Sequence, residues 1–115
     1  MHELSIALRI IEGVSEEVQR LGGEQVASVR LKLGSLSGVV KDALLFSYQL
    51  ACEGTPLEGS ELIVEESPAI VHCPQCNTDQ ILVSLQHLRC PRCGTPTPEV
   101  LSGREVEVVG MEMIS

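Results

Sequence analysis

A chain of 115 residues with 43% hydrophobic content can build one compact unit and a small appended module. Sixteen acidic residues against eight basic ones give a formal charge of -8, and Phe46 and Tyr48 are the only aromatics. Such a chain repels phosphate backbones and offers few rings for base stacking, so nucleic acid is not an expected partner.

Residues 4 to 21 place Leu4, Ala7, Leu8, Ile11, Val14, Val18 and Leu21 at steps of three and four, the stripe of an amphipathic helix. Ile6 and Ile10 widen the stripe toward a sheet, and Gly22-Gly23 ends it. "EQVASVRLKLG" then alternates, with Ala27, Val29, Leu31 and Leu33 on one face and Ser28, Arg30 and Lys32 on the other, a half-buried strand. "GSLSG" reads as a turn. "KDALLFSYQLACEG" reads as a second helix that turns Leu44, Leu45, Tyr48, Ala51 and Cys52 to the core and stops at Gly54. "ELIVEE" is a second strand closed by Pro68, and "REVEVVGMEMI" is a third, with a bulge or twist expected near Gly110. The fold expected is α+β: a three-stranded sheet covered by two helices, with an inserted zinc-ribbon-like module. The expected boundaries are 1–68 for the first part of the α+β domain, 69–101 for the module, and 102–115 for the strand that completes the sheet.

No apolar run reaches the roughly 18 residues that span a bilayer. The first ten residues lack the charged lead, apolar centre and cleavage site of a secretory signal, so a cytoplasmic protein is expected.

The module carries Cys73-x2-Cys76, thirteen residues, then Cys90-x2-Cys93. Two such pairs offer four thiolates to a tetrahedral ion, each pair from one tight turn. Asn77 and Gly94 tolerate the positive φ those turns need, and Pro74 and Pro91 stiffen their entrances. Structural zinc is the expected ion, since it favours closed four-thiolate sites; iron in the same set would make a rubredoxin-like carrier. His72 and His87 flank the pairs and could replace a sulfur or support one. Cys52 reads as a reduced core residue, Met111 and Met113 as packing, and the glutamates at 16–17 and 65–66 as solvated faces.

No nucleophile triad, phosphate loop or acid–base pair is visible, so an enzyme is not expected. The terminus "MHE" has a chemistry of its own. The Met1 amine, the His2 backbone nitrogen and the His2 imidazole can close a five-membered and a six-membered chelate ring on one ion. Glu3 can add a backbone nitrogen or a carboxylate, or serve only as an acid at a helix start. Nitrogen-rich square-planar ligation suits Ni(II) or Cu(II) better than Zn(II). A zinc-ribbon interaction adaptor without transferable metal is the alternative from another class.

"MHE", "RLKLGSLSGV", "ACEGTPLEGSEL", the two cysteine pairs and "GREVEVVGMEM" follow one another as in the HypA/HybF hydrogenase maturation family, which the whole chain resembles. The resemblance implies a nickel metallochaperone for maturation of NiFe-hydrogenases. Family members deliver nickel with a HypB-type GTPase to the hydrogenase large-subunit precursor, and some also serve urease. Carried over by position, transferable nickel falls to Met1, His2 and Glu3, and structural zinc to Cys73, Cys76, Cys90 and Cys93. Some relatives have a histidine right after a cysteine pair, where this chain has Asn77 and Gly94.

Overall fold

The helical period of the first twenty residues is realised as α1 (Glu3–Arg20), with Glu3 in its first turn and Arg20 in its last, both complementing the helix dipole. The computed structural model describes residues 3–83 and 85–114. Ile6, Ala7, Ile10, Ile11, Val14 and Val18 are the buried residues of α1. At 3.6 residues per turn they fill an arc of about 140° that is centred toward Ile10 and Val14. Leu4 and Leu8 fall outside that arc and Leu21 lies beyond the helix; each is 51% exposed, so the expected stripe was drawn too far toward them. The helix ends in a Schellman arrangement. Gly23 N–H donates to Val18 O at 2.8 Å and Gly22 N–H to Gln19 O at 3.3 Å, with Gly22 at φ 116°.

Seven further elements follow, in the order strand, helix, strand, the three strands of the module, and a last strand. They are β1 (Val26–Gly34), α2 (Lys41–Ala51), β2 (Glu61–Ser67), then β3 (Ile70–Cys73), β4 (Thr78–Ile81) and β5 (Val100–Ser102) inside the module, and finally β6 (Val106–Met113). The first sheet has the order β2-β1-β6, the second β4-β3-β5. The architecture is α+β, as the sequence pattern implies.

The chain forms two compact units, Met1–Leu31 with Val39–Glu65 and Glu107–Ser115, and Lys32–Gly38 with Glu66–Val106. In the first, one apolar cluster joins the buried face of α1 to Val26, Val29 and Leu31 of β1, Leu44 and Tyr48 of α2, and Leu62 of β2. Met111 and Met113 of β6 pack against it, which makes them packing residues. Ser28 was expected on the polar face of β1, yet it is buried, as are Val26 and Val29 beside it in the same strand. The turns after α2 return to the start of β1, where Val26 N–H donates to Pro56 O at 3.3 Å. Cys52 is a core residue, 2% exposed. Burial pushes its thiol up, and burial likewise raises the Tyr48 phenol, whose hydroxyl shares a 2.7 Å hydrogen bond with Ser60 Oγ. Val106, Val108 and Val109 of β6 are all exposed, and the strand ends the first sheet on that side.

The second unit has a much smaller core: Ala69, Val71 and Leu82, with Leu36, Leu88 and Val100 packed on it. β3 pairs antiparallel with β4, and with β5 through a register shift at Ile70/Val71. Its backbone is stitched by the expected 34–38 turn. Gly34 N–H donates to Glu105 O at 2.7 Å, Leu36 N–H to Gly103 O at 2.6 Å and Ser35 N–H to Ser67 O at 2.9 Å. A Cβ on Gly34 would stand 2.1 Å from Gly103 O, so this approach requires glycine. Ser67 Oγ donates to the Glu105 carboxylate, which also accepts from Gly103 N–H at 2.9 Å. Ser67 and Gly103, together with its own backbone N–H, hold the Glu105 carboxyl down to about 2.

Candidate metal centre

β3 ends at Cys73, and its antiparallel partner β4 begins at Thr78, so the first cysteine pair sits in the turn of a hairpin. Asn77 N–H donates to Cys73 O at 2.8 Å, and Asn77 takes φ 54°, the positive-φ non-glycine residue of the described chain. The second pair repeats the device: Gly94 N–H donates to Cys90 O at 2.9 Å, with Gly94 at φ 76°. Positive φ at the fourth residue after the first cysteine curls each turn so that backbone N–H groups face sulfur. Cys76 N–H lies 3.3 Å from Cys73 Sγ, and Arg92 N–H lies 3.4 Å from Cys90 Sγ.

The four sulfurs of Cys73, Cys76, Cys90 and Cys93 lie within 4.8 Å of one another. Cys73 Sγ is 3.6 Å from Cys93 Sγ, and Cys76 Sγ is 4.0 Å from Cys90 Sγ. A tetrahedron with metal–sulfur bonds of about 2.3 Å has edges of about 3.8 Å, between these two values. The donor set and its spacing therefore fit a four-thiolate cation. Without one, four thiolates at this range repel strongly. Hydrogen bonding within and around the cluster sets the individual acidities. Hydrogen bonding to Cys93 and Cys73 pushes Cys76 up to about 12, while the Thr95 hydroxyl and backbone hold Cys93 down to about 6.

No histidine joins the cluster among the described residues. His72 instead pairs across the hairpin with Asp79, Nδ1 to Oδ1 at 3.0 Å, and His87 is exposed. Thr95 was not foreseen: its Oγ1 is 3.1 Å from Cys93 Sγ. A hydroxyl residue two places after the last cysteine was the available signal. Arg89 also braces the second turn, Nη1 to Gly94 O at 3.2 Å. Met1 and His2 of the expected nickel site lie outside the described residues. Glu3 opens α1, and its Oε2 accepts from Val40 N–H at 3.2 Å, at the N-cap of α2.

The family described as "Hydrogenase/urease nickel incorporation, metallochaperone, hypA" matches residues 1–113. The chain belongs to the HypA family. A Chloroflexus aurantiacus hydrogenase maturation factor HypA is 47% identical over 112 residues, covering 97% of this chain and 98% of that protein. A Chloroflexus aggregans hydrogenase maturation factor HypA is 48% identical over 112 residues, with the same shares of both chains. The solution structure of the Ni metallochaperone HypA from Helicobacter pylori superposes with a TM-score of 0.70 at 18% identity, covering 100% of this chain and 99% of that one. A second HypA solution structure gives 0.72 at 18% identity, covering 99% and 97%. HypA-family membership thus joins a four-cysteine metal-binding group to a fold shared with other HypA proteins. No helix among the described residues is long and apolar enough to cross a membrane.

Proposed function

We propose that this chain is a nickel carrier for NiFe-hydrogenase maturation, with a resident structural zinc. The whole-chain match to the nickel-incorporation family is the observation that carries the reading. Zinc is assigned to Cys73, Cys76, Cys90 and Cys93, where it would supply the folding free energy that the small core of the module lacks. The module is taken as 69–101, set into an α+β domain of 1–68 and 102–115. The protein acts as a carrier and not as a catalyst. Its partners are a HypB-type GTPase, the hydrogenase large-subunit precursor and, in some settings, urease maturation proteins. A cytoplasmic location suits five cysteines that are all thiols.

Nickel, the cargo, is assigned to the Met1 amine, the backbone and imidazole nitrogens of His2, and Glu3. The Glu3 carboxylate is already engaged by Val40 N–H, which favours its backbone nitrogen as the fourth donor. Binding requires a deprotonated amine and imidazole, whose ordinary pKa values are about 8 and about 6.5, so acid releases the ion. Cu(II) outcompetes Ni(II) at such a site, so selectivity comes from metal supply and from partners.

Titration of untagged protein tests the reading. About one Ni(II) should bind tightly per chain, and one extra residue before Met1 should abolish that site by displacing the amine from the chelate. Equal nickel affinity in the two proteins would refute it.

A further inference from the structure

The four sulfurs differ in their access to solvent. Cys73 is 0% and Cys90 3% exposed, Cys76 is intermediate, and Cys93 is exposed. A small oxidant therefore meets Cys93 first. The sulfur of Cys73 stands 3.6 Å from it, nearer than the 4.0 Å that separates Cys76 from Cys90. Shortening that gap to an S–S bond of about 2.05 Å asks for a shift of about 1.5 Å. The shift can be taken up in the exposed turn of residues 91–94.

We infer that Cys93 is an oxidation site with Cys73 as its resolving partner, so that a peroxide opens the four-sulfur centre through a Cys73–Cys93 disulfide. The inference rests on the four sulfurs being a cation site. In the first step the Cys93 thiolate attacks hydrogen peroxide. A sulfur–oxygen bond forms, the O–O bond breaks and hydroxide leaves, so that sulfur is oxidised by two electrons and peroxide reduced by two. In the second, the Cys73 thiolate attacks the Cys93 sulfenic sulfur, the S–S bond forms and a second hydroxide leaves. Two thiolates and one peroxide become one disulfide and two hydroxides. Two of the four donors are then spent, and Cys76 and Cys90 alone do not close a tetrahedron.

The new bond joins the first cysteine pair to the second, so the two turns stay tied after the donors are lost. A thiol reductant can then restore the set without refolding the hairpin. Cys52 takes no part: it is 2% exposed and held in the core of the other unit.

The experiment starts from reduced, zinc-loaded protein with its metal content measured. Absence of about one zinc per chain overturns the metal reading and this inference together. Hydrogen peroxide is then added, with zinc release followed by a coloured chelator and disulfides mapped by peptide mass. One zinc should leave per disulfide, and the Cys73–Cys93 bridge should exceed any other by at least about tenfold, with Cys52 still a thiol. Limited alkylation of the wild-type protein, which needs no substitution at a donor, supplies a second measure. Iodoacetamide should label Cys93 at least about tenfold sooner than Cys90. Full zinc loading combined with a dominant bridge within one pair, or with first labelling at Cys90 or Cys76, overturns the oxidation site and leaves the metal centre standing.

Discussion

Gly34→Ala sets a bound on how rigidly the second unit is stitched. The added Cβ would lie 2.1 Å from Gly103 O, 2.3 Å from Gly103 C and 2.8 Å from Arg104 N, all backbone atoms that cannot rotate aside. Relief requires the 34–36 and 103–105 segments to part by about 1.4 Å, judged against ordinary contact distances of about 3.5 Å. That movement strains the bonds from Gly34 N–H to Glu105 O and from Leu36 N–H to Gly103 O. Two hydrogen bonds at roughly 0.5–1.5 kcal/mol each, plus residual strain, give a loss of about 2–4 kcal/mol. Gly13→Ala is the matched control. It adds the same methyl within α1, where nothing lies within 4 Å, and should stabilise by about 0.5–1 kcal/mol. Urea denaturation of the zinc-loaded proteins, followed by circular dichroism, reads both. A Gly34→Ala protein within about 0.5 kcal/mol of wild type would refute the close-approach argument.

Removing metal with a strong chelator should raise amide exchange across 66–106, where the buried apolar cluster of the described residues is the small set Ala69, Val71 and Leu82, while α1 stays protected. Loss of protection spread evenly over both units would contradict this. Glu105, held down to about 2, contributes stability that is complete above its ordinary value near 4.5 and is lost as pH falls from there toward 2. Glu105→Gln should therefore lose less stability than wild type over the same acid range, since thiolate protonation is common to both; parallel curves would remove the Ser67–Glu105 clamp. Glu3→Ala keeps the backbone nitrogen, so nickel affinity in a calorimetric titration should change by less than about threefold, whereas a loss beyond about tenfold would assign the carboxylate as ligand.

Local chemistry was readable where one short rule decides the outcome. The cysteine spacing placed four sulfurs together because each pair needs only one tight turn, and Gly22-Gly23 marked the end of α1 because the Schellman turn needs a positive φ there. The short strands β3, β4 and β5 were not read. "TDQI" has no apolar alternation, and its strand exists because Asn77 turns the chain back on "IVHC". Leu4 and Leu8 look like core residues by period alone, but the face that α1 buries is set by its partners, which periodicity does not reveal. The turn at 34–38 was visible, whereas its bonds to Gly103 and Glu105 span about seventy positions and leave no local mark.

The outer strand β6 bears on how the protein behaves in a crowded solution. Its exposed valines and free side form the kind of template onto which another extended chain can add. Glu107 and Glu112 stand on the same strand, also exposed. An antiparallel approach of two such strands brings carboxylates against carboxylates, and the net charge of -8 adds a repulsion of longer reach. Both effects fade as salt shortens the screening length toward about 3 Å at 1 M. Low salt thus keeps copies apart, and concentrated salt removes the barrier that guards an otherwise adhesive edge.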